Sequence, residues 1–356
     1  MFALIMAGGL GTRFWPKSRK GHPKQVLEII GEKSLLQNTV ERSEKIIPTD
    51  KIFVVSTREQ VAQIKKHIGA VPDANIITEP KRKNTAPCIG LAALFMERLD
   101  PEAVMVVCPA DHLISNYEVF NETLRVGEKV ASETNGLVLI GIEPHYPATG
   151  YGYIQFRQNL QHIGDISLLK VKAFAEKPNR ETAERFLRSG DFLWNSGIFI
   201  WKIQTILREI EEHVPQLYDG LMEIRAAIGT PRQEETINRV YCQIRSISID
   251  YGVMEKAKEV MVLKGNFGWN DLGSWDEVYK LREKDKNENA LIGEHIIKDS
   301  TGCYIDAPEK CIAVIGMENL VVVDTRDALL ICPRDRVQEV KDIVEIAKRK
   351  KMERFS

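Results

Sequence analysis

Gly8-Gly9-Leu10-Gly11-Thr12-Arg13-Phe14-Trp15-Pro16, followed closely by Pro23-Lys24-Gln25, is the stretch that organises the chain. The run before it, Phe2-Ala3-Leu4-Ile5-Met6-Ala7, is uninterruptedly apolar, the pattern of a strand covered on both faces. A strand that empties into glycines leaves bare backbone N–H groups at the carboxyl edge of a sheet, where phosphate oxygens meet no side chains. Arg13 and Lys24 add fixed positive charge for such phosphates. Two commoner phosphate loops fail. A dinucleotide fingerprint needs a third glycine where Phe14 stands, and no Gly-Lys-Ser/Thr run closes a Walker loop. A plain glycine turn with unrelated surface cations explains the glycines but not the whole string.

Composition narrows the class. A chain of 356 residues exceeds one ordinary domain and can bury a large core. Its 49 basic and 50 acidic residues give a net charge of −1, so no global field draws nucleic acid or a membrane surface. No apolar stretch is long enough to span a bilayer, and the N-terminus lacks a signal peptide's layout, so a cytoplasmic protein is expected. The six cysteines show neither Cys-x-x-Cys spacing nor a disulfide framework. They read as reduced, mostly buried thiols, with no zinc expected.

Apolar runs at Ile52–Ser56, Ala103–Cys108 and Leu137–Gly141 alternate with helical periodicity across Leu35–Ile46 and Ile89–Leu99. This βαβα rhythm predicts an α/β fold with a mostly parallel sheet and a ligand site beyond the carboxyl ends of its strands. Val104–Cys108 runs into Pro109-Ala110-Asp111-His112. A carboxylate there can hold Mg²⁺ or simply cap the next helix; His112 reads as structural. Asp271 in Gly268-Trp269-Asn270-Asp271-Leu272-Gly273-Ser274-Trp275 offers a second carboxylate. Thr149-Gly150-Tyr151-Gly152 is a turn entering a strand, and Glu176-Lys177-Pro178 sets an acid beside a base. Trp194-Asn195-Ser196-Gly197 adds an amide. A carboxylate and an amide can bridge sugar hydroxyls and a lysine can neutralise a sugar phosphate, but an exposed ion pair is the plain reading of Glu176-Lys177.

The full string Gly8-Gly9-x-Gly11-Thr12-Arg13-x-x-Pro16-x-Ser18-Arg19, then Pro23-Lys24-Gln25, resembles the signature of the nucleotidyltransferases that build sugar nucleotides. Within them it is similar to the mannose-1-phosphate guanylyltransferase branch, through at least seven ordered motifs between residue 1 and about 285. The resemblance implies a Rossmann-like, glycosyltransferase-A-like catalytic domain. It implies Arg13, Lys24, Asp111 and Asp271 as catalytic residues, with Mg²⁺ shared by Asp111 and Asp271. Nucleotide-binding positions are then Ala7, Gly8, Gly9, Gly11, Thr12, Glu79, Asn84, Thr85 and Pro87. Sugar-phosphate positions are Gly150, Glu176, Lys177 and Asn195. The implied substrates are GTP and mannose 1-phosphate, and the products GDP-mannose and pyrophosphate.

Base choice rests on that resemblance, since guanine calls for a hydrogen-bond acceptor at its N1–N2 edge that the sequence does not specify. Lys81 and Lys83 read as a solvated basic turn. Ser248–Lys256 reads as a capped helix start, or by resemblance as a sugar-pocket wall supporting Asp271. The same chemistry on another sugar 1-phosphate, such as a manno-heptose 1-phosphate, or on another nucleotide needs only pocket changes. A non-catalytic, sugar-nucleotide-sensing regulatory subunit is the rival across classes; it would be expected to lack part of the set Arg13, Lys24, Asp111, Lys177 and Asp271. An NAD-dependent oxidoreductase fails with the missing glycine.

Residues 1–286 are therefore read as the catalytic domain and 287–356 as a C-terminal unit. There, short apolar segments near Cys303, Cys311, Leu320 and Ala328 recur with polar turns between, which suggests stacked coils of a left-handed β-helix fragment. Val337, Val340, Val344 and Ala347 follow helical spacing to a solvated basic end, Lys348-Arg349-Lys350-Lys351. A homodimer through this part is compatible with the sequence.

Overall fold

The structure is a computed structural model that describes residues 1–157 and 161–355. The glycine-rich stretch leaves strand β1 (Phe2–Met6), whose residues Phe2–Ile5 are buried. The chain continues through β2 (Ile52–Thr57), β3 (Ile76–Glu79), β4 (Val104–Pro109), the short β5 (Leu113–Ile114) and β6 (Leu137–Ile142). Then come β7 (Gly152–Phe156), β8 (Gln161–Ile163), β9 (Ile166–Glu176), β10 (Phe192–Lys202), β11 (Val260–Gly265) and the short β12 (Trp269–Asn270). The main sheet runs β3-β2-β1-β4-β10-β6-β11-β9-β7, with β8 beside β9, while β5 and β12 form a separate ribbon.

The α/β layering agrees with the sequence reading, but the sheet is mixed rather than mostly parallel. Pairs β1–β2, β1–β4, β2–β3 and β6–β11 are parallel. Strand β10 is inserted antiparallel between β4 and β6, and β9 runs antiparallel to β11 and β7. The cause is local. A helix, Arg180–Ser189, ends at Gly190 in the left-handed conformation and turns the chain back before β10. Leu193, Trp194 and Ile198–Trp201 are then buried between the two neighbours. A register shift between Asn195 and Phe199 marks a bulge, which re-aims the Asn195 side chain.

One face of the sheet packs against Thr85–Glu97, an almost wholly buried helix backed by Ile203–His213, Pro215–Ala227 and Gln233–Gln243. The other face is covered by Leu35–Glu44 and Tyr117–Thr134. Ser34 starts the former with a capping box, its Oγ accepting from Gln37 N at 3.1 Å. No helix among the described residues is long and apolar enough to cross a membrane.

The C-terminal unit is a second sheet of β13 (Ala290–Lys298), β14 (Tyr304–Ile315), β15 (Leu320–Asp324) and β16 (Leu329–Pro333), in that order. The first two pairings are parallel and the last antiparallel. Cys311 lies inside β14 instead of opening a coil of its own. Gly293 has φ of +94°, and a Cβ there would lie 2.1 Å from the Ala307 carbonyl oxygen, so this coil closes only on glycine. Of the predicted helical positions, Val340, Val344 and Ala347 lie in the helix Val340–Arg349 and Val337 in the 3₁₀ turn before it; all four are buried.

This unit packs directly on the glycine-rich stretch. Phe14 meets Trp275 edge-on at 4.9 Å, Trp275 stacks on Tyr304 at 5.7 Å, and Leu27, Val321, Val323 and Val340 extend the same core. Lys17 pairs with the buried Asp306 at 2.6 Å, and Trp15 Nε1 donates to the Phe355 carbonyl at 2.8 Å. The cysteines depart from expectation. Cys88, Cys108 and Cys303 are buried and Cys332 is half-buried, whereas Cys242 and Cys311 are exposed; all are free thiols.

Candidate active site

The glycine loop is held by its carbonyls, which leaves its N–H side open. Gln25 Nε2 and Ser56 Oγ donate to Ala7 O at 2.6 and 3.0 Å, Arg82 Nε to Gly8 O at 2.9 Å, and Gln60 Nε2 to Gly9 O at 3.1 Å. Ser18 Oγ donates to Gly11 O at 2.6 Å. Gly11 has φ of +64°, and the space a Cβ would need there is taken by Lys24, whose own Cβ lies 2.1 Å from that point. Nothing stands within 4 Å of a Cβ at Gly9.

Lys24, itself 6% exposed, is the link between the two sequence-predicted aspartates. Its ammonium donates to Asp111 Oδ2 and to the Asp271 main-chain oxygen, each at 2.7 Å. Burial opposes ionisation of Asp111, but the Lys24 charge and the Lys24 hydrogen bond outweigh it and hold the carboxyl below its ordinary value. Asp271 is shifted the other way. Burial raises its pKa, with Lys24 and the Tyr151 hydrogen bond opposing and the Asp111 and Glu277 charges reinforcing. The Tyr151 hydroxyl donates to Asp271 Oδ1 at 2.9 Å, and Tyr146 lies behind it against Glu277. His112 is half-buried, accepts from Trp269 Nε1 at 3.1 Å and has its pKa lowered to about 4 by desolvation, so it is neutral.

Two cavities flank this link. The one on the Asp111 side, of about 340 Å³, is lined by Gly8, Gly9, Glu79, Arg82, Asn84 and Thr85. The one on the Asp271 side, of about 260 Å³, is lined by Arg13, Gly150 and Tyr151 and by Gln338 of the C-terminal unit. Arg13 Nε is buried without a hydrogen-bond partner among the described residues. Thr12 and Arg13 form a short 3₁₀ turn after Gly11. Asn84 takes φ of +69° and caps the helix Thr85–Glu97 by accepting from Thr85 N. Thr85 Oγ1 accepts from Ile249 N, and the Pro87 carbonyl from the Tyr241 hydroxyl, so both have framework roles.

Glu79 is the unusual acid of the first cavity. It is buried, accepts from the Tyr241 hydroxyl at 3.1 Å, and burial pushes its pKa up to about 7 against that bond and the Arg82 charge. A folded-state pKa above the unfolded one favours folding at low pH, and the gain is lost as pH rises through the folded value. The wild type is therefore expected to lose about 3 kcal/mol from this group between about pH 4.5 and about pH 8. Glu79→Gln should flatten that decline. Urea midpoints at both pH values check it, and an equal offset between the two proteins at each pH would refute the assignment.

Glu176, Lys177 and Asn195 form a third cluster, around Gly152. Lys177 pairs with Glu176, and a Cβ on Gly152 would lie 2.6 Å from Glu176 Oε2 and 3.5 Å from Asn195 Cβ. Asn195 Nδ2 donates to Asp250 Oδ1 at 2.8 Å while its Oδ1 accepts from Gly197 N at 2.9 Å. The segment Ser248–Lys256 thus supports Asn195, through a π-turn at Asp250–Met254, and not Asp271 as the resemblance implied; Tyr151 does that instead. Lys81 is exposed as expected, but Lys83 donates to the Ile244 carbonyl at 2.7 Å and is not merely solvated. Sequence reasoning also missed Arg82, Tyr241 and Gln338, whose positions depend on distant segments; only Tyr151, next to Gly150, left a local signal.

Comparison with known proteins identifies the family of the chain. The family described as nucleotidyl transferase matches residues 2–288, and the mannose-phosphate isomerase/GMP-like β-helix domain matches residues 293–346. The mannose-1-phosphate guanylyltransferase of Klebsiella pneumoniae is 38% identical over 351 residues, 98% of this chain and 74% of that protein. The xanthan biosynthesis protein XanB of Xanthomonas campestris is 38% identical over 346 residues, covering 96% and 72%. The crystal structure of mannose-1-phosphate geranyltransferase from Thermus thermophilus superposes with a TM-score of 0.87 at 31% identity, covering 98% of this chain and 99% of that one. The chain belongs to the nucleotidyl transferase family and is an enzyme of its mannose-1-phosphate guanylyltransferase branch.

Proposed function

We propose that the protein transfers GMP from GTP to α-D-mannose 1-phosphate, giving GDP-mannose and pyrophosphate. The observation that carries this reading is the Lys24 bridge between Asp111 and Asp271, set between one cavity under the glycine loop and another beside Arg13. A phosphate oxygen of mannose 1-phosphate attacks the α-phosphorus of GTP in line. The new P–O bond forms as the bond to the β-phosphate oxygen breaks, and pyrophosphate leaves with the electron pair. A phosphate monoester has a second pKa of about 6, so the attacking group is already largely dianionic and no general base is needed. Catalysis reduces to positioning and charge stabilisation.

The glycine-loop N–H groups and Ala7–Thr12 seat the triphosphate, and Arg13 and Lys24 offset the charge that develops on the leaving pyrophosphate. Glu79, Asn84, Thr85 and Pro87 frame the base, with the Glu79 carboxyl as the acceptor for the N1–N2 edge of guanine. Glu176 and Asn195 hold mannose hydroxyls, Lys177 the sugar phosphate, and Gly150 lies against the sugar. Asp111 and Asp271 fit Mg²⁺: they are two carboxylates beside a phosphate site, and mutual repulsion helps raise the pKa of Asp271. Mg²⁺ bound there supplies positive charge that offsets the repulsion between the two phosphates. In this reading the enzyme works in the cytoplasm, where its substrates are, with residues 1–286 catalytic and residues 287–356 completing the site, as a monomer or a homodimer.

Pyrophosphate release across GTP, ATP, UTP and dTTP against mannose, glucose and manno-heptose 1-phosphates, with Mg²⁺, tests the proposal. The GTP–mannose combination should dominate by at least about tenfold. A different dominant pair would overturn the substrate assignment, and silence from folded, nucleotide-binding protein would favour a sensing subunit.

A further inference from the structure

Glu277 is a buried carboxylate that the transfer reaction leaves without a role. It sits on the helix Trp275–Leu281 and is 8% exposed. Trp275, Val278 and Tyr279 turn one face of that helix into the core shared with the C-terminal unit. Glu277 and Lys280, an i,i+3 pair, lie on the opposite face. Glu277 borders the cavity beside Arg13 and Asp271, yet both its oxygens are occupied. Oε1 accepts from Lys280 Nζ at 2.7 Å and from the Tyr146 hydroxyl at 3.2 Å, and Oε2 accepts from Asn270 Nδ2 at 3.0 Å. Lys280 is steadied in turn by Asp276 at 2.9 Å, which also pairs with Arg334 of the C-terminal unit at 3.0 Å. A carboxylate carrying donors on both oxygens organises its neighbours and has little left to offer a substrate.

Two of those donors lead to Asp271. While Asn270 Nδ2 rests on Glu277, its Oδ1 accepts from Leu272 N at 2.7 Å. That bond spans Asp271 and secures the buried Leu272 in the left-handed region, at φ of +47°, which a residue with a Cβ seldom adopts. On the other side, the Tyr146 hydroxyl lies 3.4 Å from that of Tyr151, which donates to Asp271 Oδ1. Trp194 meets both tyrosine rings edge-on, at 4.9 and 5.0 Å, and locks the pair together. The backbone around Asp271 and one of its carboxylate oxygens thus depend on a single glutamate.

We propose that Glu277 is a positioning residue of the transfer site. Through Asn270 and the Tyr146–Tyr151 pair it aims the Asp271 carboxylate at the divalent cation that Asp271 shares with Asp111. The assignment rests on the transferase reading above, and it gives Glu277 no contact with substrate.

The test compares wild type, Glu277→Gln, Asp271→Asn and the double variant. Glutamine keeps the shape but turns one acceptor oxygen into a donor, which then faces another donor on Asn270, or on Lys280 and Tyr146. Mn²⁺ affinity, read by electron paramagnetic resonance without substrate, should weaken about tenfold in Glu277→Gln, the usual cost of losing an outer partner of a metal ligand. Turnover should fall about tenfold as well, with KM for GTP and for mannose 1-phosphate within about twofold of wild type. In the Asp271→Asn background, Glu277→Gln should cost less than about twofold more in either readout, because its route to the site is gone. Additive losses would overturn the proposal and leave Glu277 as a framework residue. Unchanged Mn²⁺ affinity in Glu277→Gln, or a wild-type affinity indifferent to Asp271→Asn, would overturn it too. If Glu277→Gln fails to fold, Tyr146→Phe, which deletes one hydroxyl from a half-buried ring, carries the same comparison with an expected loss of about threefold. No loss in that variant would refute the assignment. A wild type that binds Mn²⁺ but fails to turn over GTP with mannose 1-phosphate would count against the function alone, since the metal comparison still decides Glu277.

Discussion

Lys24→Met is expected to lower kcat by about 10²–10³-fold, the cost of removing one preorganised charge from a developing anion. Methionine keeps the length and the apolar stem and deletes only the ammonium, which lies 5.4 Å from the centre of the Phe14 ring. Its loss frees Asp111 Oδ2 and the Asp271 carbonyl together. Asp111 is partly exposed, so the stability cost is screened to about 1 kcal/mol. The expected signature is a collapse of turnover with a melting temperature only a few degrees lower. A lysine with a purely architectural role would give the reverse pattern, and measuring kcat beside thermal unfolding separates the two.

Gly11→Ala should be comparably damaging by another route. The left-handed backbone alone costs about 1–2 kcal/mol for a residue with a Cβ. The added methyl would also sit 2.1 Å from Lys24 Cβ and 3.1 Å from its Cα, so the backbone around Lys24 has to move. Gln25, next in the chain, is tied to the Ala7 carbonyl, and the displacement therefore feeds back into the glycine loop. We expect kcat/KM to fall by at least about 100-fold, since a misplacement of about 1 Å costs that much in a positioned site. Gly9→Ala is the internal control: it has neither positive φ nor a neighbour within 4 Å, so the fold should be unaffected and any lost activity would report the approach of phosphate. Equal, near-wild-type kinetics for Gly11→Ala would refute the coupling between the loop and Lys24.

What the sequence discloses and what it hides divide along a physical line. β1, its glycine exit and Asp111 after β4 are legible because strand burial and turn chemistry are written in consecutive residues. The inserted strand β10 is hidden, since an apolar run states burial but not direction. Asp250 on Asn195 and Tyr151 on Asp271 span 55 and 120 residues, and such pairs leave no periodic trace. The same holds for Gln338 beside Arg13, separated by most of the chain. Glu79 was legible as a motif member, but its raised pKa was not, because that follows from burial under Tyr241.

Phe14 lies inside the signature and, through Trp275, inside the core shared with Tyr304, Val321 and Val323. Heredity is constrained by that arrangement. A lineage cannot shed the coil or exchange it for another without laying Phe14, Leu27 and Trp275 open to water, so the two halves have to be inherited as one unit. Drift on the coil's inner face is answerable to the same phenylalanine that stands beside Arg13. A transplanted coil would have to be chosen by its fit to that ring before anything else about it mattered.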